Sequence, residues 1–134
     1  AGSRLAKPPR KPTIWLTGIF TVPPFTLAGR VEAGHRLLDV QDGMLLSMPI
    51  SRPMPDIGPR CHELRIRDAE HYWRVIYRID TNAILVVDVF PKGTRKTEKA
   101  AIDRSRKRLA EYDKARADTK KKAQQNADKK ASHP

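Results

Sequence analysis

The sequence predicts an α+β fold: a small antiparallel β-meander packed against an N-terminal helix and followed by a C-terminal helix. Three runs rich in apolar, β-branched and aromatic residues, 61–67, 71–79 and 84–90, have the length of strands. Two turn-forming clusters, Asp68-Ala69-Glu70 and Asp80-Thr81-Asn82, separate these runs. Segments with helical spacing of apolar residues lie on both sides of them. Short turns between consecutive strands favour antiparallel pairing.

Composition restricts both the size and the partners of the protein. The chain has 134 residues, which suits one domain with a modest core. Its formal net charge of +12 favours a polyanionic partner, RNA or DNA before an anionic membrane. No apolar run approaches the roughly 20 residues of a spanning helix, so a cytoplasmic protein without membrane contact is expected. The single cysteine, Cys61, forms no intrachain disulfide and is interpreted as a small strand residue.

The N-terminal part divides into a lead-in, a strand and a helix. Residues 1–12 are rich in Pro, Lys and Arg and predict a flexible basic lead-in, whereas 13–18 is strand-like. A helix is then predicted from an N-cap at Thr26 to a stop at Gly43. Its predicted sheet-facing stripe consists of Leu27, Val31, Gly34 and Leu38. Gly29 and Gly34 weaken the helix intrinsically, by about 1 kcal/mol each relative to Ala, so it should depend on docking to the sheet.

Residues 44–60 contain four prolines and predict an irregular loop. Two interpretations stay open for this loop. It carries functional residues, as ordered loops often do, or it is a strap that covers the core. The strap would use Met44, Leu45, Leu46 and Met48.

Residues 97–117 predict a second helix with a narrow docking stripe of Ile102, Leu109 and Tyr112. From 118 to 134 the apolar residues other than Ala disappear, which predicts a basic low-complexity tail that frays or extends the helix. The tail is either an RNA-binding extension or a solubilising end. The folded domain is therefore predicted to span 13–117.

Strand alternation gathers basic residues on one face of the meander. Glu63, Arg65 and Arg67 share a face of the first strand, opposite Leu64 and Ile66. Arg74 and Arg78 share a face of the next strand, and Lys92, Arg95 and Lys96 follow the third. Opposed side chains on neighbouring strands lie close together, so these cations can surround a phosphate. The alternative is that they are ordinary solvated residues on an exposed sheet face.

Cleavage of RNA would further need a base, an acid and stabilisation of the phosphorane charge. His62 and Glu63 are the first candidates for proton transfer, and arginine suits the charge stabilisation. His62 and His71 have no further Cys or carboxylate at ligand spacing, so a metal site is not expected. No phosphate-binding glycine loop or dinucleotide fingerprint indicates a cofactor.

The motifs of the meander resemble those of a known toxin family. They are His62-Glu63-Leu64-Arg65, Trp73-Arg74-Val75-Ile76-Tyr77-Arg78 and Val89-Phe90-Pro91-Lys92-Gly93-Thr94. Over about 13–113 the chain resembles the phage-derived HigB-like branch of the RelE/ParE toxin superfamily. The resemblance implies a RelE-like fold, an antitoxin partner and endoribonuclease activity that cleaves mRNA on the ribosome without a metal ion. Arg65, Arg74 and Lys92 match the family's catalytic basic residues.

The leading hypothesis is thus a toxin of a type II toxin–antitoxin system that cleaves ribosome-bound mRNA. Arg65, Arg74 and Lys92 would bind the scissile phosphate, and His62 or Glu63 would transfer protons. The remaining cations, Arg67, Arg78, Arg95 and Lys96, would bind RNA. The expected partners are mRNA, the ribosome and a helix-turn-helix antitoxin. Two alternatives stay open: a ParE-like toxin that inhibits a protein such as gyrase without chemistry, and a basic RNA- or ribosome-binding module.

Overall fold

The computed structural model describes residues 9–16, 25–69 and 71–131. Within these ranges the elements are β1 (Thr13–Trp15), α1 (Leu27–Gln41), β2 (Ser51–Pro53), β3 (Cys61–Asp68), β4 (His71–Ile79), β5 (Ile84–Pro91) and α2 (Arg95–Ala131). The strands form one sheet with a helix on each face, which confirms the predicted α+β class. None of the described helices is long and apolar enough to cross a membrane.

The sheet is mixed and has the strand order β1-β5-β4-β3-β2. The predicted antiparallel meander is confirmed for β3, β4 and β5, whereas β1 pairs with β5 in parallel. Because most of the chain lies between β1 and β5, no hairpin turn imposes an antiparallel direction on that pair. Residues 17 and 18 of the predicted first strand and Glu70 of the first predicted turn lie outside the described residues.

The proline-rich segment contains one strand that its composition does not predict. β2 is only three residues long and pairs with β3 at the edge of the sheet. Pro53 is tolerated there because an edge strand needs only one row of hydrogen bonds. The strap interpretation is wrong for Met44, Leu45 and Met48, which are 54%, 78% and 56% exposed. The segment instead buries Met54 and Ile57 in the core beneath α2. Leu46, the fourth residue of the predicted strap, is partly buried and packs against the core on the α1 side.

Helix α1 begins after an N-cap at Thr26, whose Oγ1 accepts a hydrogen bond from the Gly29 N–H at 3.3 Å, and ends before Gly43, as predicted. The predicted docking stripe, however, is wrong. Leu27, Val31 and Leu38 are 76%, 52% and 38% exposed. The buried residues of the helix are Gly29, Ala33, Leu37 and Val40.

A close approach between α1 and the end of β3 decides which face of the helix is buried. A Cβ atom at Gly29 would lie 2.5 Å from the Cγ of Asp68. The Asp68 carboxylate accepts hydrogen bonds from the backbone N–H and the hydroxyl of Thr26, and these bonds lower the pKa of Asp68. Only a helix face with glycine at this position can approach so closely.

The two helices cover opposite faces of the sheet. On the α1 face the core includes Leu64, Val75 and Tyr77, and on the α2 face it includes Ile76, Leu85 and Phe90. Cys61 is buried in the α2-face core, as its interpretation as a strand residue requires. A bulge between Ile76 and Tyr77 shifts the pairing of β4 with β5.

Helix α2 has the predicted thin docking stripe, because Leu109 is buried and Ile102 and Tyr112 are half-buried. Ion pairs reinforce this stripe at three points along the helix. Arg52 pairs with Glu98, the buried Asp88 pairs with Arg104 and Arg108, and Arg78 pairs with Asp113. Beyond Tyr112 the helix continues to Ala131 with every residue exposed, so the basic segment after 117 extends the helix over this length.

Candidate phosphate-binding cleft

The register of the meander brings together three of the basic residues that the sequence singles out. Arg65 of β3 lies directly opposite Arg74 of β4, and Arg74 lies opposite Phe90 of β5. Lys92 follows the end of β5. Arg65, Arg74 and Lys92 line one cavity of about 190 Å³, which we call the basic cleft.

Two residues that sequence reasoning missed complete the walls of the basic cleft. Arg52 enters from β2, where it pairs with Glu63 of β3, and Glu98 enters from the first turn of α2. The Arg52 Nη2 donates to the Glu98 Oε1 at 2.5 Å. Arg52 belongs to a segment whose prolines argue against a strand. Glu98 reaches the cleft only because α2 docks across the sheet, which no local pattern reveals.

Glu63 lies at the centre of the guanidinium groups. Its side chain is 2% exposed, and its Oε1 is 3.1 Å from the Arg52 Nε, 3.6 Å from the Arg74 Nε and 3.7 Å from the Arg65 Nε. A buried carboxylate is costly unless cations or donors compensate it, and here three arginines do so. Glu63 therefore fixes the positions of the three guanidinium groups.

The basic cleft has an excess of positive charge. Four cations, Arg52, Arg65, Arg74 and Lys92, face two carboxylates, which leaves a net charge of +2. Burial lowers the pKa of Arg74, and the charges of Arg65 and Arg52 lower it further against the opposing effect of Glu63. A bound anion would relieve this crowding of positive charge.

One of the arginines that line this site has an unsatisfied donor. The Arg65 Nε is buried and makes no hydrogen bond within the described part of the chain. The Glu63 oxygen, at 3.7 Å, is too distant to accept one. Buried donors without partners are rare in folded proteins, so this N–H is suited to an anion that enters the basic cleft.

His62 does not join the basic cleft. It lies on the α1 face of β3, where its ring stacks on Tyr77 with ring centroids 5.3 Å apart. Burial lowers the pKa of His62, which favours the neutral imidazole. The reason for its position is strand alternation, since His62 has the same parity as Leu64 and the opposite parity to Glu63.

The other four predicted RNA-binding residues do not line the basic cleft. Arg67 is exposed near the end of β3, and Arg95 and Lys96 are exposed at the start of α2. Arg78 lines a second cavity with Asp80 and Asp113. Among the described residues, no group of three His, Cys, Asp or Glu side chains could hold a metal ion.

A mixed sheet between two helices, with a net-positive cleft at one end, defines a small α+β domain with a candidate phosphate site. Comparison with protein families assigns the chain more narrowly, because residues 26–110 match one family over most of the chain. The chain belongs to the phage-derived protein Gp49-like family (DUF891). Comparisons with curated proteins and with solved structures gave no match.

Proposed function

We propose that this protein is the toxin of a type II toxin–antitoxin pair and a ribosome-dependent endoribonuclease that cleaves mRNA without a metal ion. The observation that carries the proposal is the convergence of Arg65, Arg74 and Lys92 on one net-positive cleft that contains an unsatisfied buried donor. The resemblance to HigB-like toxins and the phage-derived family support it. The proposed partners are mRNA, the ribosome and a helix-turn-helix antitoxin.

The reaction is an attack of the ribose 2′-oxygen on the adjacent phosphorus. The 2′-O–P bond forms, the P–O5′ bond breaks, and the products are a 2′,3′-cyclic phosphate and a 5′-hydroxyl. Arg65 and Arg74 stabilise the extra negative charge of the phosphorane, because their guanidinium groups bind pairs of phosphate oxygens and remain protonated. Lys92, exposed at the edge of the cleft, donates a proton to the departing 5′-oxygen.

Glu98 is the proposed acceptor of the 2′-hydroxyl proton. Its side chain is 40% exposed at the edge of the cleft, so it is open to an incoming ribose. Glu63, the sequence-based candidate, is enclosed by three arginines and is assigned a positioning role. His62 faces the other side of the sheet and takes no part in the step.

Replacement of Arg74 tests the proposal. Arg74→Ala should lower the rate of mRNA cleavage by about 10²–10³-fold, the usual cost of removing one group that stabilises transition-state charge. Arg74→Lys should recover part of the rate, because it restores the charge without the planar fork. The measurement is cleavage of a short mRNA on programmed ribosomes, together with transcript 5′ ends mapped after induction in cells.

The matched control is Arg30→Ala, which removes an exposed cation from α1 on the opposite face of the sheet. It should cleave as the unaltered chain does. Unchanged cleavage by Arg74→Ala, with the fold intact, would contradict the proposed site. Growth arrest with DNA damage signalling and no cut transcripts would instead favour a gyrase-directed toxin.

A further inference from the structure

A second and larger cavity lies about halfway along α2. It has a volume of about 550 Å³ and is formed between the turn that joins β4 to β5 and the part of α2 that projects past Tyr112. We call it the turn cleft. Its charged lining residues are Arg60, Arg78, Asp80, Asp113, Arg116 and Lys120, which give four cations, two carboxylates and a net charge of +2.

At the floor of the turn cleft, Arg78 is paired with two carboxylates and has few hydrogen-bond donors left for a ligand. The side chain of Arg78 is 10% exposed and donates to both oxygens of Asp80 and both oxygens of Asp113, at 2.7 to 3.0 Å. The hydrogen bond with Asp113 is the main cause of a raised pKa of Arg78. The hydrogen bonds of Arg78 are therefore used to join α2 to the sheet.

The rim of the turn cleft carries exposed cations, one of which, Arg116, also donates to the Tyr112 hydroxyl at 3.2 Å. Arg60 is 54% exposed and only loosely paired, with its Nη1 3.6 Å from the Asp80 Oδ1. Its backbone has a φ of +63°, an unusual conformation for a residue other than glycine and one that is often found at functional sites. Arg116 and Lys120 lie one helical turn apart on α2, and both are exposed. Three cations thus border the opening from two elements.

The turn cleft is too far from the basic cleft to serve the same phosphate. Glu98 lines the basic cleft and Asp113 lines the turn cleft, and they lie fifteen positions apart on α2, or about 22 Å at 1.5 Å per residue. Along a stacked strand this distance corresponds to roughly six nucleotides at 3.4 Å each. A ligand that occupies both clefts must be an extended polyanion.

The projecting part of α2 continues the positive surface from the turn cleft. Residues 113–131 contain seven Lys or Arg against three Asp, and all of them are exposed. Their apolar residues are all alanines. A helix that is polar on every side has no core to join, so a charged partner suits it better than an apolar one.

We propose that the turn cleft is a second phosphate-binding site, which holds the backbone of an RNA segment outside the one that enters the basic cleft. Arg60, Arg116 and Lys120 bind the phosphates, and Arg78 with its two carboxylates keeps α2 at the distance that the site requires. The choice of RNA as the source of the phosphate rests on the proposed function, whereas the anion chemistry follows from the lining residues.

The test measures affinity for an uncleavable RNA as a function of salt. A fluorescent 30-nucleotide single strand with 2′-O-methyl groups throughout is titrated with the full chain and with Arg60→Ala/Lys120→Ala. Each lost phosphate contact lowers the slope of log K against log salt by about 0.7, so the double variant should lose about 1.4. The matched control is Arg30→Ala/Lys107→Ala, which removes two exposed cations outside both clefts.

Equal slopes and affinities for the cleft variant and the control would overturn the proposal. Calorimetric titration with AMP distinguishes the source of the phosphate. Micromolar AMP binding that the Arg60→Ala/Lys120→Ala variant loses would overturn the assignment to RNA and favour a free nucleotide, whereas absent or millimolar AMP binding supports it. Because the RNA cannot be cleaved, these results are independent of whether the basic cleft is catalytic.

Discussion

The two carboxylates of the basic cleft differ in exposure, and this difference separates their roles. Glu63 is 2% exposed and contacts three guanidinium groups, whereas Glu98 is 40% exposed and pairs with Arg52. A buried carboxylate remains charged because its cationic partners stabilise it, and removal of that carboxylate leaves several cations close together without compensation. An exposed carboxylate contributes little to stability and remains accessible to substrate. Glu63 is thus suited to positioning and Glu98 to proton transfer.

Replacement by Gln separates these roles, because it keeps the shape and removes the charge. Glu63→Gln should lower the free energy of unfolding by about 1–3 kcal/mol, less than a fully buried ion pair would lose because Arg52 and Arg65 are partly exposed. Glu98→Gln should change stability by less than about 1 kcal/mol but slow cleavage by about 10²–10⁴-fold. Urea unfolding and single-turnover cleavage across pH measure both effects. A cleavage pH profile unaltered by Glu98→Gln would contradict its role as the base.

His62 and Arg52 show what residue-scale reasoning can predict. Strand alternation alone places His62 on the same face as Leu64 and therefore predicts that it lies opposite the cationic face. In the sequence, His62 is a candidate base only because imidazole is suited to proton transfer. The sequence does not predict the position of Arg52, because the prolines on either side of it argue against β2, the strand that carries it into the basic cleft. Arg65 and Arg74 lie opposite each other only in one register of β3 with β4. The hydrophobic pattern restricts this register, and the geometry of the turn between the strands determines it.

At the scale of elements, α1 carries two apolar faces, and only contact with the sheet decides between them. Leu37 is buried and the adjacent Leu38 is 38% exposed, although spacing alone gives each of them apolar neighbours on its own face. The buried face is the one with small residues, Gly29 and Ala33, near the start of the helix. Tertiary packing therefore overrides the helical pattern.

The two glycines of α1 provide a matched test of this packing. Gly34→Ala places its Cβ in open space and should stabilise the protein by about 0.5–1 kcal/mol, since Ala is the better helix former. Gly29→Ala places its Cβ 2.5 Å from the Asp68 Cγ and should destabilise the protein by about 1–3 kcal/mol, as overpacking does. Thermal and urea unfolding measure both changes. A destabilising Gly34→Ala or a neutral Gly29→Ala would contradict the observed face of the helix.

At the scale of the molecule, the apolar packing of α2 against the sheet extends to Tyr112, and the described residues of the helix after it are exposed. The sheet is covered by α1 on one face and by the first half of α2 on the other, and the last ion pair to the sheet along α2 within the described residues is Arg78–Asp113. The residues from 118 to 131 are helical but exposed throughout. Composition predicts where burial stops, because the apolar residues disappear there. It does not predict that the helix continues, since helix formers such as Ala, Lys and Gln suit both a free helix and a solvated tail.

A chain that ends at Ala117 tests the predicted folded domain of 13–117. The removed residues bury no apolar surface among those described, so the free energy of unfolding should change by less than about 1 kcal/mol, including the effect of a new negative carboxylate at the helix C-terminus. Urea unfolding at moderate salt measures this change, and the full chain is the reference. A loss of several kcal/mol would show that the part of α2 after Ala117 belongs to the folded unit. Unchanged stability with weaker binding to RNA would make that part a binding extension of a domain that folds without it.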